Sequence, residues 1–338
     1  MLKKLIVVLA ILVVVVGAGF GYVSYQVDRY LAQPLQVTEN QLVTIPFGAN
    51  INRSMDILEK NQWIEKSVVE RFVRRLHPEL VSIKAGTYQV TPSMTLRAAL
   101  ERFISGKEHQ FAVTFVEGSR FSDWRAILEN TEYLEHTIDG ESEEAIAKQL
   151  GIEHKKLEGL FLAETYHFTA GQSDLDILRR AHDKLMAYLN AQWPERDQPL
   201  PIDSPYQALT LASIIEKETA LDSERHRVAS VFVNRLNKHM RLQTDPTVIY
   251  GMGDNYHGNI RKRDLHQATP YNTYVIRGLP PTPIAMVGKN AIEAALHPEK
   301  SQYLYFVASG DGGHVFSKTL TEHNRAVRAY LRQLRNRK

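Results

Sequence analysis

The stretch VTIPFGANINRSMDILEKNQWI, residues 43–64, occurs a second time as VTFVEGSRFSDWRAILENTEYL, residues 113–134. The two copies align without a gap, and both keep the Val-Thr start, a glycine (Gly48 and Gly118) and the triplet Ile-Leu-Glu. Each copy begins with alternating apolar residues and continues, after the glycine, with apolar residues three and four apart. These periods predict a short strand, a turn and a helix, formed twice in one chain.

The segments around the two copies extend this pattern. Residues 85–90 alternate like a strand, and residues 95–104, 142–150 and 174–193 have the apolar spacing of amphipathic helices. The predicted fold class is therefore α+β. The strand–turn–helix unit resembles LysM-type glycan-binding modules, so we expect a small LysM-like α+β region over residues 28–110 and a larger α+β domain over residues 111–338.

Composition and charge exclude several classes of protein. With 43% apolar and 23% charged residues among 338, the chain has the composition of a folded protein. The net charge of +3, from 41 basic and 38 acidic residues, is too small to indicate nucleic-acid binding. The absence of cysteine excludes disulfides, cysteine nucleophiles, thiolate zinc sites and iron–sulfur clusters. The basic tail from Arg325 to Lys338 is typical of a solvated helix face, with contact to acidic polymers as the alternative.

The N-terminal thirty residues predict a membrane anchor. Lys3 and Lys4 precede an uncharged stretch over residues 5–27, of which residues 5–23 would cross the roughly 30 Å of a bilayer core as a helix. The lysines place the N-terminus in the cytoplasm and everything after Asp28 on the outer side. Residues 1–27 are thus predicted to be a cytoplasmic tip and transmembrane helix. The alternative is a signal peptide cleaved near Gly17-Ala18.

The strongest chemical signal lies in SPYQALTLASIIEKET, residues 204–219. Ser204 as N-cap, Pro205 at the first helical position and Gln207 three residues after the cap predict the start of a helix with one buried stripe. Glu216 and Glu218 lie about 200° apart on that helix, so at most one can be the working acid of a single cleft. A buried carboxyl with a raised pKa could protonate a leaving oxygen, as glycosidase acids do. The alternative is two surface glutamates at a helix end.

Two later loops are compatible with sugar binding, and the sequence lacks several known catalytic motifs. Residues 241–251 and 271–281 combine Tyr, Asn, Thr, Gln and Asp without the period of a helix or strand, which suits sugar binding as well as ordinary turns. The sequence has no G-x-S-x-G, no phosphate-binding glycine loop, no dinucleotide fingerprint and no H-E-x-x-H. No metal or cofactor is indicated.

Five segments in this order resemble the YceG-like family of endolytic murein transglycosylases. They are ASIIEKET (212–219), VASVFVNRL (228–236), LQTDPTVIYG (242–251), YNTY (271–274) and GLPP (278–281). The resemblance covers nearly the whole chain, including the N-terminal apolar stretch. It implies a single-pass protein of the bacterial inner membrane, with an N-terminal cytoplasmic tip and a periplasmic LysM-like region followed by a catalytic domain, residues 111–338.

The same resemblance implies a function and a site. The enzyme would be a lyase that cuts the β-1,4 bond between N-acetylmuramic acid and N-acetylglucosamine inside nascent peptidoglycan strands. The products would carry 1,6-anhydro ends, and the reaction would serve cell-wall synthesis and glycan-strand termination. Glu218 is then the catalytic acid and base, Glu216 is structural, and no cofactor or metal is needed. Expected partners are glycan strands, the membrane and peptidoglycan synthases. The residues expected to bind substrate are Asn234, Gln243, Asp245, Tyr250, Tyr271, Asn272 and Tyr274.

Two alternatives stay open, and the chain departs from the family pattern at three places. A muramidase-type hydrolase would use Asp245 to activate water, and a glycan-binding scaffold of the growth and division machinery would need no acid. The family commonly has Pro-Asp where this chain has Ala163-Glu164, Gly where it has Thr282, and Asn-Pro where it has Met286-Val287. The role of Glu164 is therefore open, and the substrate details are less firmly implied than the reaction.

Overall fold

The structure is a computed structural model that describes residues 2–336; Met1 and the end of the basic tail, Arg337 and Lys338, lie outside the described residues. The described residues form thirteen α-helices: α1 (Leu2–Leu31), α2 (Ile51–Lys60), α3 (Glu70–Leu76), α4 (Leu96–Ser105), α5 (Phe121–Glu129), α6 (Glu143–Leu150), α7 (Asp174–Gln192), α8 (Pro205–Glu218), α9 (Asp222–Asn237), α10 (Asp245–Met252), α11 (Lys262–His266), α12 (Lys289–Leu296) and α13 (Leu320–Asn336). They also form six strands: β1 (Gln41–Ile45), β2 (Gly86–Val90), β3 (Phe111–Thr114), β4 (Thr165–Phe168), β5 (Tyr305–Ala308) and β6 (His314–Ser317).

The repeat and the α+β fold class are confirmed. The first copy forms β1 and α2, and the second forms β3 and α5. The turn between strand and helix is the same in both copies, because Gly48 and Gly118 have φ angles of 78° and 75°. This left-handed backbone carries little steric cost only without a Cβ atom, which accounts for the shared glycine.

The six described strands form three separate two-stranded sheets: β1–β2, β3–β4 and β5–β6. β1 and β2 are antiparallel with Val43 opposite Tyr88, and β5 and β6 are antiparallel with Phe306 opposite Phe316. Sheets this small cannot stabilise themselves, so helices must cover them.

The chain divides into two compact units. The first runs to Phe111 and includes Phe168–Gly171; the second contains Ala112–His167 and continues from Gln172. In the first unit, the last turns of α1 belong to the core, since Val27 and Leu31 are fully buried among side chains of β1, β2, α2 and α4. The predicted boundary at residue 27 therefore falls inside a continuous helix. The LysM-like character of this unit stays a prediction.

Helix α1 is the only described helix that is long and apolar enough to cross a membrane, by length and composition. Its residues from Leu2 to Tyr22 are exposed, including a run of large apolar side chains. A signal sequence would pass the same test.

Two details of the second unit differ from the sequence-based expectation. We expected one buried stripe on α8, but every residue from Ala208 to Ile215 is buried. The reason is that the helix packs against three others, α9, α10 and α12. The prediction of an irregular loop over residues 241–251 is wrong for its second half. There α10 begins at Asp245, with Pro246 in its first turn. This helix buries only Thr247 and Val248, which is too short a stripe to show helical periodicity.

Candidate active site

Glu218 is the last residue of α8, a helix whose body is buried within the second unit. Ser204 begins α8 as predicted, its hydroxyl accepting a hydrogen bond from the Gln207 backbone N–H at 3.2 Å. The Gln207 side chain accepts from the Asp203 backbone N–H at 2.7 Å. A well-capped start and a buried body fix the direction of the helix, so the position of its last residue, Glu218, is also fixed.

Glu218 opens into a cleft of about 390 Å³ within the second unit. The Thr244 hydroxyl donates a hydrogen bond to Oε1 of Glu218. The other residues that line the cleft are Arg235, Leu242, Gln243, Asp245, Tyr274, Tyr305, Phe306, Leu320 and His323. The lining thus combines one buried carboxyl, aromatic rings and hydrogen-bonding groups.

Burial raises the pKa of the Glu218 carboxyl above its usual range, and the neighbouring charge of Asp245 raises it further. The hydrogen bond from Thr244 and the nearby His314 act in the opposite direction. The net effect is a carboxyl that holds its proton to a higher pH than a solvated glutamate. A carboxyl that keeps its proton more readily is suited to general acid catalysis.

Asp245 and Tyr274 form a second polar pair in the same cleft. The Tyr274 hydroxyl donates to Oδ1 of Asp245 at 2.7 Å. Burial, followed by this hydrogen bond and the charges of Asp245 and Glu218, raises the pKa of Tyr274. Tyr274 therefore stays protonated, and Asp245 is solvent-exposed.

The turn between α9 and α10 places Gln243 in a strained conformation, with a φ of 52°. For a residue other than glycine, this left-handed backbone conformation costs about 1–2 kcal/mol of conformational free energy. Three bonds hold it there: Gln243 N–H to Thr273 O at 3.2 Å, Thr244 N–H to Thr273 Oγ1 at 3.1 Å, and the Thr247 and Thr273 hydroxyls at 2.8 Å. Strain of this kind maintained by a buried network is typical of functional sites.

Three of the seven predicted substrate-binding residues therefore line the cleft with Glu218: Gln243, Asp245 and Tyr274. Asn272 is nearly fully buried, and its Nδ2 donates to the carbonyls of Asp264, Leu265 and Gln267. Its amide is used to fix the loop that carries Tyr274.

The remaining predicted residues lie in other surroundings. Tyr250 and Tyr271 pack edge to face at 4.8 Å, and the Arg120 guanidinium lies 5.4 Å from the Tyr250 ring centre. Asn234 donates to the carbonyls of Ser301 and Tyr303 and lines a separate, neighbouring cleft. Substrate contact by these residues stays a prediction.

Sequence reasoning missed the buried Arg235, which donates to the carbonyls of Leu304, Arg241 and Leu242 at 2.6, 3.1 and 2.8 Å. Its guanidinium also lies 5.1 Å from the ring centre of Tyr305. A signal was available, because Arg235 follows Val228 and Val231 on the buried side of α9, where arginine is rare. No local signal indicated His323, which comes from the helix of the basic tail and stacks on Tyr305.

Glu216 and Glu164 have partners of their own. Glu216 accepts from the Gly288 backbone N–H at 3.0 Å and pairs with the buried Arg225, whose Nη2 lies 3.5 Å from its Oε1. Burial raises the pKa of Glu216, although the Gly288 bond opposes this. Glu164 forms an ion pair with Lys184. Neither carboxylate lines the Glu218 cleft.

Across residues 2–336, no three His, Cys, Asp or Glu side chains gather in a way that could hold a metal ion. The cleft itself offers a buried acid, an exposed carboxylate held by a tyrosine, a buried guanidinium and aromatic rings.

Comparison with known proteins relates this arrangement to one family. The model of the YceG-like family matches residues 43–329. The endolytic murein transglycosylase of Bacillus subtilis (strain 168) is 33% identical over 338 residues, covering 94% of this chain and 91% of that protein. The endolytic murein transglycosylase of Streptococcus pneumoniae (strain ATCC BAA-255 / R6) is 27% identical, covering 93% of this chain and 62% of that protein. A crystal structure of a yceG-like protein from Listeria monocytogenes has a TM-score of 0.50 and 31% identity, covering 86% of this chain and 99% of that one.

Proposed function

Because the chain belongs to the YceG-like family, we propose that it is an endolytic peptidoglycan transglycosylase with Glu218 as its acid and base. The bond cleaved is the β-1,4 bond between N-acetylmuramic acid and N-acetylglucosamine. The observation that carries this proposal is the Glu218 carboxyl, buried at the end of α8 and opening into a cleft lined by sugar-compatible groups. The names of the two relatives support the reaction class.

In the proposed reaction, protonated Glu218 donates its proton to the glycosidic oxygen as the bond to C1 of muramic acid breaks. The resulting carboxylate then takes the proton from the C6 hydroxyl of the same sugar. The C6 oxygen closes on C1, which gives the 1,6-anhydro end and restores the protonated acid. One carboxyl performs both transfers, and the raised pKa of Glu218 favours the form that starts the cycle.

The rest of the cleft supports this role. Asp245 places a negative charge near the developing positive charge at C1, and Tyr274 supplies a neutral hydroxyl that holds this carboxylate. Tyr305 and Phe306 present apolar surface on which a sugar ring can pack. Arg235 keeps residues 241–242 and 304 in place beneath the cleft.

We also propose that α1 anchors the enzyme in the bacterial inner membrane, with residues 2–4 cytoplasmic and both units on the outer side. Lys3 and Lys4 precede the apolar span, which favours this orientation. The burial of Val27 and Leu31 in the first unit makes the end of α1 part of a folded domain. Binding of glycan by the first unit and association with peptidoglycan synthases stay predictions.

A hydrolase is the second candidate, since the exposed carboxylate of Asp245 shares the cleft with Glu218. It would activate a water molecule and leave a reducing end instead of an anhydro end. The two reactions therefore differ in their products.

The test is mass spectrometry of the fragments produced from uncrosslinked nascent strands by the full chain in detergent. We expect internal fragments with 1,6-anhydromuramyl ends, and a loss of at least a hundredfold in rate for Glu218→Gln. The matched control is Glu141→Gln, the same exchange at an exposed position elsewhere in the second unit. Reducing ends would establish the hydrolase, and strands that bind but stay intact would favour a non-catalytic scaffold.

A further inference from the structure

A second and larger cleft, of about 640 Å³, lies in the second unit next to the one that contains Glu218. The two clefts share a wall made of α9 and residues 303–305. Asn234 and Tyr303 line the second cleft, whereas Arg235 and Tyr305 line the first. The Arg235 guanidinium bonds the Leu304 carbonyl at 2.6 Å and so ties the two parts of the wall together.

The charged groups that line this second cleft differ in their partners. Its two carboxylates have polar partners: His297 Nδ1 lies 3.2 Å from Asp197 Oδ1, and Arg227 Nε contacts both oxygens of Glu299 at 3.1 and 2.9 Å. Its two lysines, Lys300 and Lys318, are exposed, and no carboxylate among residues 2–336 lies within 4.0 Å of either ammonium group. Two exposed ammonium groups, neither with a carboxylate of the described residues within 4.0 Å, are therefore available to an anionic ligand at this cleft.

The rest of the lining carries the groups that bind a peptide backbone. Asn234 uses its Nδ2 on the carbonyls of Ser301 and Tyr303, which leaves its Oδ1 without a donor among the described residues. Further amides and hydroxyls line the same cleft: Gln198, Ser230, Asn237, Ser301 and Gln302. Uncharged sugars would not need the two lysines, whereas a peptide with carboxylates would use both kinds of group.

We propose that this second cleft binds the short acidic peptide attached to muramic acid, while the sugars of the strand occupy the Glu218 cleft. The inference rests on the proposed function, because it assigns the position of one substituent of the same substrate. An extended peptide of four residues reaches about 13 Å, which is enough to pass a wall one helix, about 10 Å, thick. The enzyme would thereby distinguish strands that still carry their peptides from strands that have lost them.

The experiment compares two substrates: strands with intact peptides and the same strands stripped by an amidase. The variant is Lys300→Gln/Lys318→Gln in the full chain, and the matched control is Lys148→Gln/Lys155→Gln, two exposed lysines elsewhere in the second unit. At low substrate concentration, the unaltered and control proteins should cut peptide-bearing strands at least tenfold faster. The variant should lose most of that preference, with less than a twofold change on stripped strands.

Equal rates on both substrates, or an unchanged preference in the variant, would overturn the inference while leaving the proposed function in place. If the unaltered protein cuts neither substrate, the proposed function fails. Titration calorimetry with a free tetrapeptide carrying the stem's carboxylates then decides separately about the cleft. Binding to the unaltered and control proteins that is weakened at least fivefold in the variant supports it, and no binding, or equal binding, overturns it.

Discussion

Thr244 sets the balance between the two protonation states of Glu218. Its hydroxyl donates to Oε1, and this bond stabilises the carboxylate and lowers a pKa that burial raises. In Thr244→Val the donor is lost, so the pKa of Glu218 should rise further. Because the first step of the proposed reaction requires the protonated acid, the alkaline limb of the pH–rate profile should move up by roughly one to two pH units.

The matched control is Thr210→Val on α8, the helix that ends at Glu218; the Thr210 hydroxyl donates to the Tyr206 carbonyl at 2.9 Å. Its alkaline limb should stay in place. A limb that stays fixed, or moves to lower pH, in Thr244→Val would mean that this hydrogen bond does not control the acid.

Glu158 is another buried carboxyl outside the Glu218 cleft, and burial raises its pKa to about 7. It accepts a hydrogen bond from the Phe121 backbone N–H at 3.0 Å, and Tyr250 also donates to it. A folded-state pKa above the unfolded value of 4.5 means that its stabilisation is complete below pH 4.5 and is lost as pH rises through 7. The loss should be on the order of 2–3 kcal/mol.

Glu158→Gln resembles the protonated form at every pH, so the variant should keep stability that the unaltered protein loses. Between pH 5 and pH 8, the fall in unfolding temperature should be smaller for the variant than for the unaltered protein. We expect the two falls to differ by roughly 5–10 °C. Thermal unfolding in detergent measures this, with the exposed Glu141→Gln as control. Parallel curves for the two proteins would contradict the assignment.

At the scale of elements, the segment over residues 283–288 depends on close contact with the turn at Gly159. That glycine has a φ of 75°, and an added Cβ would lie 2.2 Å from Pro283 Cβ. Gly151 has the same φ with open space around it, so the pair separates the cost of the backbone from the cost of the contact. Gly151→Ala should lower the free energy of unfolding by about 1–2 kcal/mol. Gly159→Ala should lower it by at least about 2 kcal/mol more.

Thermal or denaturant unfolding of both variants measures the difference. The displaced segment also includes Met286, which exchanges backbone hydrogen bonds with Gly118 and Ser119, and Gly288, which bonds Glu216. Gly159→Ala should therefore lose activity as well, beyond its loss of stability. Equal destabilisation in the two variants would show that the contact with Pro283 can relax.

Elements with local signals could be predicted from the sequence, and elements held by distant contacts could not. The cap at Ser204, the repeat glycines and the apolar periods gave α8 and both copies of the strand–turn–helix unit their correct places. Helix α10 was missed because its stability comes from Thr247 and Val248 packing inside the second unit. In the site, the spacing of Glu216 and Glu218 limited the choice to one acid, and only the family resemblance selected Glu218. The strain at Gln243 and the approach of His323 arise from long-range packing that no local pattern encodes.

Helix α1 connects the proposed anchor directly to a domain core, which affects how a soluble form must be made. A chain that begins at Gln33 lacks the buried side chains of Val27, Tyr30 and Leu31. Their burial contributes about 1.5–3 kcal/mol each, so the first unit should lose on the order of 5 kcal/mol relative to a chain that begins at Ser24. Limited proteolysis should cut the first unit of the shorter chain far faster, while Tyr25→Ser in the longer chain, at an exposed position, changes nothing. Equal protection of both chains would show that the end of α1 does not stabilise the core of the first unit.

At the scale of the whole molecule, a retained anchor and a cleaved signal peptide make different predictions. The chain has no cysteine, so single cysteines can report orientation without a background signal. In spheroplasts, a membrane-impermeant maleimide should label Glu144→Cys, an exposed position in the second unit, and should label Lys4→Cys only after the membrane is opened. The mass of the purified protein should include residues 1–18. Removing the span would release the enzyme from the membrane, whereas the continuous helix that joins the span to the first unit would keep it there. Labelling of Lys4→Cys from outside would reverse the orientation, and a mass lacking the N-terminal segment would establish a cleaved signal peptide.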